Sequence, residues 1–499
     1  MLQSKEQDNN SKIGRLVIVS NRLPVVLTKD DDGQWQVEPG SGGLVTALAP
    51  VLRDRGGLWI GWPGTLEEVL LNQSLAAASR GAGYVLIPIM LTEEEVEGYY
   101  FGFSNRTLWP LFHNLQSHCS FEPSCWHTYQ MVNRKFAEVI AENVRADDFI
   151  WVHDYHLMLV AKELREIGVE SKIGFFLHIP FPPLDIYAMM PWRWQIMAAL
   201  SDYDIIGFQT MHDRNNFIRC VETWMKGLHV DARRRVCTIE MPQRQVRVGA
   251  FPVSIDFKEF ARQAALESTA KRATQLYDDV SRCEIILGVD RLDYSKGIPQ
   301  RLMAFRNALE RFDDLLGKVV LAQIVVPSRE DVPEYQDLKA EIEGLVSEIN
   351  GKFSRSGWIP IHHMFRSLER AELLAYYRAA GVALITPLND GMNLVAKEYC
   401  AANVDNSGTL ILSEFAGAAS QLGRNALVVN PHDVEGVANA IHRACNTSLS
   451  ERQSRMRKLR RSVAKRDIFW WLDFFLWAAL TRELGNHPSS AILAQIGDS

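Results

Sequence analysis

Residues 284–296 read EIILGVDRLDYSK, and residues 381–398 read GVALITPLNDGMNLVAKE. Each stretch begins with a short run of valine, isoleucine and leucine, continues through a polar turn and opens a helical pattern. A continuous apolar run of this length is typical of a parallel strand that is buried on both faces of its sheet. Both stretches therefore predict a strand followed by a helix, which is the repeating unit of an α/β fold.

Ten further apolar runs of the same kind alternate with longer helical patterns along the chain. They start at residues 15 (RLVIVSNR), 57 (GLWIGW), 84 (YVLIPIM), 149 (FIWVHDY), 173 (IGFFLHIPF), 204 (DIIGFQT), 246 (VRVGAFPV), 319 (VVLAQIVVP), 409 (TLILSEFAG) and 426 (ALVVNP). About a dozen strands are more than one open sheet usually holds. We therefore predict two doubly wound, Rossmann-like α/β domains, with the break near residues 252–258 and a helix over 259–280.

The composition is that of an ordinary globular protein. Charged residues make up 23% of the 499 residues and apolar residues 47%, and the net charge is −6. This balance excludes a disordered chain and gives no global basicity of the kind that attracts nucleic acid. The seven cysteines are sparse and odd in number. We therefore expect no disulfide framework and a reducing, cytoplasmic setting.

Three segments bear on targeting and on large partners. The polar N-terminus, MLQSKEQDNNSK, lacks the apolar core of a secretory signal. Residues 468–480 (IFWWLDFFLWAAL) are too few to span a bilayer and include Asp473, so we expect a buried helix there. The basic run 455–466 is more typical of a solvated helix face than of a nucleic-acid patch. We predict that the protein binds neither a membrane nor a nucleic acid. The sequence leaves open whether the chain forms a homo-oligomer.

Polar side chains stand directly after most of the apolar runs. In open α/β sheets, ligands bind outside the carboxyl ends of the strands. If two such edges face each other, these side chains share one cleft between the domains. Since a structural protein has no need of them, we predict an enzyme with a large, polar, phosphorylated ligand. The polar and aromatic side chains that follow the apolar runs include Arg22, Trp62, Asp154, Tyr155, His178, Arg291, Lys296, Arg329 and Asp390.

Arg291 and Lys296 are the first candidates for binding that ligand. They stand five residues apart across a turn, so a planar guanidinium and a mobile ammonium can converge on one diphosphate. Taken alone, these residues fit equally well a surface ion pair with Asp290 or Asp293.

The turn at residues 386–393 is the second candidate. Gly391 permits a tight turn, and Asn393 is a suitable N-cap for a helix whose free amides favour phosphate. Asp390 stands before this helix and can accept sugar hydroxyls. Glu398 lies two turns further on and can reach a ribose. The alternative for Glu398 is a buried pairing with Lys397 or with a distant arginine.

Other motifs are weak or missing. The loop Gly40-Ser-Gly-Gly43 lacks the G-x-G-x-x-G pattern, which disfavours dinucleotide binding, although its amides can still approach a phosphate. The chain has no P-loop and no G-x-S-x-G, which argues against an NTPase and a serine hydrolase. Cys119 and Cys125, flanked by His118 and His127, do not match common zinc spacing. We predict no metal site.

Several longer motifs, taken together, resemble the trehalose-6-phosphate synthase family. The resemblance runs from about Arg15 to Trp477. The motifs are VSNRLP (19–24), GWPG (61–64), FSNRTLWPLFH (103–113), VHDYHL (152–157), FLHIPFP (176–182), IGFQT (206–210), VDRLDYSKG (289–297), DGMNLVAKEY (390–399) and LSEFAGA (412–418).

The resemblance implies a retaining glucosyltransferase of the GT-B architecture, with two Rossmann-like domains facing across a cleft. The reaction that the resemblance implies would be UDP-glucose plus glucose 6-phosphate giving α,α-trehalose 6-phosphate and UDP, with no cofactor required and with ADP-glucose as the alternative donor. Residues 1–255 would bind the acceptor and residues 256–467 the nucleotide sugar. The last helix, in residues 468–499, would return to the first domain.

The resemblance also implies roles for single residues, carried over motif by motif. Arg291 and Lys296 would hold the donor diphosphate, with the Gly43 amide nearby, and Asp390 and His178 would bind the glucose hydroxyls. These four side chains are the catalytic candidates, and Glu398 would bind the ribose. The rest of the donor site is Gly391, Met392, Asn393, Leu394 and Val395. The acceptor site is Arg22 and Arg329 for the 6-phosphate, with Trp62, Tyr100, Trp109, Asp154 and Tyr155 around the sugar.

Three alternatives remain at this point. Some relatives carry arginine where Met131 stands, which leaves open a glucosylglycerol-phosphate synthase that uses ADP-glucose and glycerol 3-phosphate. A catalytically silent regulatory homologue is the second alternative, because a fold does not fix a function. The third is an epimerase-type Rossmann protein that binds NAD, which the missing G-x-G-x-x-G disfavours.

Overall fold

The computed structural model describes residues 14–29, 35–40, 43–66, 71–225, 229–230, 234–241, 244–329 and 332–481. The chain divides into two compact units at Phe251/Pro252 and again at Trp471/Leu472. The first unit holds the chain up to Phe251 together with the chain from Leu472, and the second holds Pro252–Trp471.

The first unit is built on a nine-stranded sheet in the order β5-β4-β1-β6-β7-β8-β11-β10-β9. Its strands pair in parallel, except that β10 runs antiparallel to both of its neighbours. β2 and β3 form a separate antiparallel hairpin. The strands are β1 Leu16–Arg22, β2 Val25–Lys29, β3 Trp35–Pro39, β4 Leu58–Trp62, β5 Val85–Pro88, β6 Phe149–His153, β7 Lys172–Phe176, β8 Ile205–Phe208, β9 His229–Val230, β10 Val236–Glu240 and β11 Gln245–Ala250.

Helices connect the parallel strands of this sheet. One connection contains a π-helix, Val96–Leu108, and two short 3₁₀ turns lie at Gln116–His118 and Tyr155–Leu157. The α-helices are α1 Gly43–Arg55, α2 Leu71–Ala82, α3 Glu93–Glu95, α4 Trp109–Phe112, α5 Pro123–Asn143, α6 Val160–Ile167, α7 Leu184–Tyr187, α8 Arg193–Leu200 and α9 Met211–Trp224.

The second unit has a six-stranded, fully parallel sheet in the order β14-β13-β12-β15-β16-β17. Counted along the chain, this order is 3-2-1-4-5-6, the Rossmann arrangement. The strands are β12 Glu284–Arg291, β13 Val319–Val326, β14 Ile361–Phe365, β15 Val382–Ile385, β16 Thr409–Ser413 and β17 Leu427–Val429. The helices are α10 Phe257–Ala264, α11 Glu267–Asp279, α12 Ile298–Arg311, α13 Pro333–Phe353, α14 Arg370–Ala379, α15 Leu394–Ala402, α16 Ala419–Leu422, α17 Val434–Cys445 and α18 Leu449–Lys465, with 3₁₀ turns at Tyr294–Lys296 and Asp313–Leu315.

The aromatic run near the C-terminus forms the last helix, α19, Ile468–Leu480. In the first unit its Phe475 ring stacks on Trp151, with centroids 4.3 Å apart and an interplanar angle of 11°. A Cβ at Gly174 or Gly207 would come within 3.1 or 2.8 Å of that ring, so both glycines make room for it. Among the described residues, none of the helices is long and apolar enough to cross a membrane.

All twelve predicted strands are present, and the two-unit α/β fold class is confirmed. The structure differs from the prediction in four parts of the chain. The single helix over 259–280 is wrong, because the extended residue Leu266 separates α10 from α11. The sequence also missed β14, an edge strand in which His362 and His363 interrupt the apolar run, and the antiparallel pieces β2–β3 and β9–β10. Antiparallel strands need only one buried face, so they lack a continuous apolar run.

Candidate active site

The second unit brings its predicted residues together where its strand order reverses. After β12 the chain continues to β13 and β14 at one edge of the sheet, whereas after β15 it continues to β16 and β17 at the opposite edge. The ligand crevice of this fold lies between the ends of β12 and β15. Arg291 ends β12, Lys296 closes the 3₁₀ turn after it, and Asp390 follows β15. The candidate diphosphate-binding residues therefore stand where such sheets bind ligands.

A partly buried ion pair joins the two loops. Lys296 Nζ lies 2.7 Å from Asp390 Oδ2, and the side chains are 11% and 12% exposed. Asp390 also accepts hydrogen bonds from the Met392 amide and the Asn393 side-chain amide, each at 3.2 Å. The pair therefore places one cation and one carboxylate side by side at the crevice.

Backbone contacts hold the loops at this distance. The carbonyl oxygen of Ser295 accepts hydrogen bonds from the amides of Leu388, at 2.8 Å, and Asn389, at 3.3 Å. Gly297 has a φ of +63° and starts α12, and a Cβ there would come within 2.8 Å of the Thr386 carbonyl oxygen. Glycine is thus required for this close approach.

The alternative partners of Lys296 are engaged elsewhere. Asp290 pairs with Arg301, a fully buried residue of α12, and burial raises the pKa of this carboxyl although Arg301 opposes the rise. Arg301 Nε also donates to Thr386 Oγ1 at 3.1 Å, so one guanidinium ties the end of β12 to the end of β15. Arg301 was not predicted as a site residue, although an arginine between Ile298 and Leu302 on an apolar helix face is a usable signal.

Asn393 caps α15 as the sequence predicts. Its Oδ1 accepts the Ala396 amide hydrogen at 3.1 Å, and its φ of +59° makes the turn after Gly391. The first residues of α15, Leu394 and Val395, follow directly, so the N-terminus of this helix comes one short turn after Asp390 in the chain.

Glu398 lies on α15 and accepts a hydrogen bond at Oε2 from the hydroxyl of Tyr377, at 2.8 Å. Burial raises the pKa of this carboxyl, although the Tyr377 hydrogen bond opposes the rise. The alternative pairing of Glu398 with Lys397 is wrong, because Lys397 Nζ donates instead to the Val253 carbonyl oxygen.

The buried Lys397 predicts a pH dependence of stability. Burial, and then the charge of Arg466, lower the pKa of Lys397 from 10.5 to about 7. Between these values the unfolded chain holds a proton that the folded chain has lost, so the free energy of unfolding rises by about 1.4 kcal/mol per pH unit. Below pH 7 both states are protonated and the contribution is constant.

Urea unfolding of the wild-type protein and of Lys397→Met measures this contribution. We expect the difference in unfolding free energy to be flat below pH 7 and to move in favour of the wild type as the pH rises towards 10. A difference that stays constant over this range would contradict a neutral Lys397.

Arg329 lies in the second unit, just after β13, with a φ of +52°. Its Nη1 donates to the Tyr335 hydroxyl and lies 3.9 Å from Asp293 Oδ2. Asp293 in turn accepts the Ser295 amide hydrogen at 2.9 Å. Arg329 is therefore linked to the turn that carries Lys296.

The first unit shows the same arrangement at its own reversal point, between β1 and β6. Arg22 ends β1 and Trp62 ends the neighbouring β4, whereas Asp154 and Tyr155 follow β6. His178 comes two residues after β7, the next strand of the sheet. These candidate residues lie along one edge of the sheet.

An aromatic platform supports Arg22. Its guanidinium carbon lies 4.0 Å from the centroid of Trp62 and 5.8 Å from that of Tyr100. Gly64 has a φ of +91°, and a Cβ there would overlap Arg22 Nη1. The glycine in the GWPG motif therefore leaves space for the Arg22 guanidinium. The cation–π contact with Trp62 holds this group through its face and does not use its N–H donors.

The π-helix carries residues that support this edge. Tyr155 donates through its hydroxyl to Asn105 Oδ1 at 3.1 Å, and its ring centroid lies 5.7 Å from that of Trp109. Tyr99 donates to Asn21 Oδ1 at 3.0 Å, next to Arg22. Tyr99 and Asn105 were not predicted from the sequence, because no local pattern shows which side chains of this segment reach the strand ends. π-Helical turns are frequent at functional sites.

His178 is held by two neighbours. Its amide donates to Asp154 Oδ1 at 3.2 Å, and its Nε2 lies 3.0 Å from His153 Nδ1. Asp154 has a φ of +73°, so the backbone turns sharply after β6. Burial lowers the pKa of His178 to about 3, which keeps its ring neutral at pH 7.

Three further candidates have simpler placements. Gly43 is the first residue of α1, whereas residues 41–42 of the glycine loop lie outside the described residues. Met131 is 59% exposed on α5. Over the part of the chain that the structure describes, no three His, Cys, Asp or Glu side chains are grouped to hold a metal ion.

Comparisons with known proteins agree with these features. The sequence model of glycosyltransferase family 20 matches residues 14–479, so the chain belongs to this family and is a glycosyltransferase. The trehalose-6-phosphate synthase of Mycolicibacterium gilvum is 42% identical over 478 residues, covering 95% of each chain. That of Mycolicibacterium smegmatis is 43% identical over 479 residues, covering 94% of this chain and 93% of the relative. The resemblance to the trehalose-6-phosphate synthase family is confirmed.

Solved structures extend the likeness to the fold. The α,α-trehalose-phosphate synthase (UDP-forming) of Burkholderia xenovorans, in complex with glucose-6-phosphate, has a TM-score of 0.84 at 36% identity, covering 94% of this chain and 100% of that one. An Escherichia coli protein described as trehalose-6-phosphate, bound with UDP-2-fluoro glucose, has a TM-score of 0.82 at 37% identity, covering 94% and 99%. The predicted GT-B fold class is thus confirmed.

Proposed function

We propose that this glycosyltransferase moves glucose from UDP-glucose to glucose 6-phosphate with retention of configuration, giving α,α-trehalose 6-phosphate and UDP. The observation that carries the proposal is the Lys296–Asp390 pair at the reversal point of the second sheet, beside the first amides of α15. Two relatives of more than 40% identity are named trehalose-6-phosphate synthases, which supports the product.

The donor half of the reaction needs positive charge on a leaving diphosphate. As the bond from glucose C1 to the diphosphate oxygen breaks, negative charge develops on UDP, and Arg291, Lys296 and the α15 amides would stabilise it. Asp390 would accept hydroxyl hydrogens of the glucose, and Glu398 those of the ribose. The similar E. coli protein was solved with UDP-2-fluoro glucose, which supports UDP over ADP as the nucleotide.

The acceptor half needs a cationic site for the 6-phosphate and a surface for the sugar ring. Arg22 offers its guanidinium above Trp62, and Tyr100, Trp109, Asp154 and Tyr155 would line the sugar site. Arg329 would be the second phosphate ligand. The similar Burkholderia xenovorans enzyme was solved with glucose-6-phosphate, which supports this acceptor.

Retention follows in this proposal from attack on the face that the diphosphate leaves. The anomeric oxygen of glucose 6-phosphate forms the new bond to C1, and its proton passes to the departing diphosphate oxygen. His178 is neutral at pH 7 and serves as a hydrogen-bonding group rather than as an acid. No cofactor enters this scheme. We assign acceptor binding to residues 1–255 together with Arg329, and donor binding to residues 256–467 together with Gly43 and His178. The helix in 468–499 would return to the first domain, in a cytoplasmic enzyme.

A crossed product assay tests the proposal. UDP-glucose and ADP-glucose are each combined with glucose 6-phosphate and with glycerol 3-phosphate, and nucleotide release and sugar product are followed. We expect the UDP-glucose and glucose 6-phosphate pair to have the highest kcat/KM. Preference for glycerol 3-phosphate would identify a glucosylglycerol-phosphate synthase, and no nucleotide release with any pair would identify a silent homologue.

A further inference from the structure

Two histidines of neighbouring strands share one hydrogen bond in the first unit. His153 Nδ1 and His178 Nε2 lie 3.0 Å apart, at the end of β6 and shortly after β7. The two residues are 0% and 4% exposed. Burial lowers both pKa values, so both rings are neutral at pH 7. Because each neutral ring carries one proton, only one of the two facing nitrogens donates.

The other ring nitrogen of His153 decides which one donates. His153 Nε2 is buried and has no hydrogen-bond partner within the described part of the chain. Its ring lies against Trp151, with centroids 4.7 Å apart. Among backbone groups, a buried N–H without an acceptor is rarer than an under-satisfied buried carbonyl oxygen, and we apply the same preference to the ring nitrogens. Nε2 of His153 is therefore the unprotonated nitrogen, and its proton stands on Nδ1.

We propose that His153 fixes the tautomer of His178. The Nδ1–H of His153 donates to His178 Nε2, so the one proton of His178 must stand on its own Nδ1. His178 Nδ1 is then a hydrogen-bond donor and cannot act as an acceptor. His153 is a positioning residue in this arrangement. The use of this N–H for a hydroxyl of the donor glucose rests on the proposed function, whereas the tautomer does not.

Nitrogen-15 NMR of the histidine rings tests the tautomer directly in the unliganded wild-type protein at pH 7. His153→Leu and His178→Leu variants assign the signals. We expect both rings to be neutral, each with a protonated Nδ1 and an unprotonated Nε2. A proton on His178 Nε2, or a charged ring, would overturn the proposal. This result is independent of the product assay, so failure of the tautomer and failure of the proposed function are distinguishable.

Kinetics test whether His153 acts through His178. We expect His178→Leu to lower kcat about tenfold, as for loss of one hydrogen bond in the transition state, and His153→Leu to lower it by less. The double variant should be no slower than His178→Leu alone, because His178 is the only route by which His153 acts. Losses that multiply in the double variant would refute that route.

Deoxygenated donors give a readout that a purely structural role would not move. A series of UDP-glucose analogues that each lack one hydroxyl is compared with UDP-glucose itself. In the wild type each analogue should react more slowly than UDP-glucose, and in His178→Leu one of them should react as fast as UDP-glucose does in that variant. The ratio of the two rates is the disadvantage of the analogue. We expect His153→Leu to reduce the disadvantage of the same analogue. A uniform loss of rate across all analogues in His153→Leu would mean that His153 only supports the fold.

Discussion

Lys296→Ala should lower kcat by about 100- to 1000-fold while the protein stays folded, because removal of one preorganised electrostatic group from a developing charge has an effect of this size. Lys296 is the cation that the loop after β12 holds against Asp390, at 2.7 Å. Only the transition state places the extra negative charge on UDP, so the loss should fall mainly on kcat and less on KM.

The partner of Lys296 makes a second variant informative. Without Lys296, the Asp390 carboxylate keeps its charge beside the diphosphate and repels it. A double variant, Lys296→Ala with Asp390→Asn, removes this repulsion but does not replace the missing cation. If most of the loss persists when the double variant is compared with Asp390→Asn alone, Lys296 stabilises the leaving group. Recovery to near the wild-type rate would mean that the uncovered carboxylate caused the loss.

A matched control separates this effect from a general loss of a lysine. Lys271 is 72% exposed on α11 in the same unit and pairs only with the exposed Glu267 among the ion pairs seen in the described residues. Lys271→Ala should leave kcat unchanged, since exposed pairs contribute little. Near-normal turnover of Lys296→Ala, with this control also normal, would contradict the assigned role.

Arg22→Ala should lower kcat/KM for glucose 6-phosphate by about 100-fold, as expected for loss of a charge-assisted hydrogen bond to phosphate. With unphosphorylated glucose as acceptor, the same variant should be close to the wild type. The ratio of the two acceptors therefore isolates the contact between the guanidinium and the phosphate from any change in the sugar site.

The platform beneath Arg22 supplies further variants for this prediction. Gly64→Ala should reproduce part of the Arg22→Ala effect, because the new methyl overlaps the guanidinium. Arg262 is 62% exposed and paired with Glu259, and Arg262→Ala provides the control. This variant should leave kcat/KM unchanged for both acceptors. An equal loss for glucose and glucose 6-phosphate in Arg22→Ala would refute phosphate binding by this residue.

Local sequence was enough for the features that depend on neighbouring residues. The apolar runs predicted every parallel strand except the edge strand β14, and Asn393 was identified as an N-cap because capping is decided within four residues. The same apolar runs also predicted where each strand ends, and the candidate residues stand directly after those ends.

Features that depend on distant partners could not be predicted in this way. Lys296 is 94 residues from Asp390 in the chain, and the sequence offered the nearer Asp290 and Asp293 as partners. Arg301 and the His153–His178 hydrogen bond likewise depend on how strands are ordered in each sheet. Tertiary packing decides such contacts, so no local pattern reveals them.

The most direct test of the account is the structure of the product made from UDP-glucose, labelled with carbon-13 at C1, and glucose 6-phosphate. We predict one UDP released for each new disaccharide, and NMR signals for two α-configured anomeric carbons joined through one oxygen. A β-configured labelled carbon, labelled free glucose as the main product, or no UDP release would contradict it.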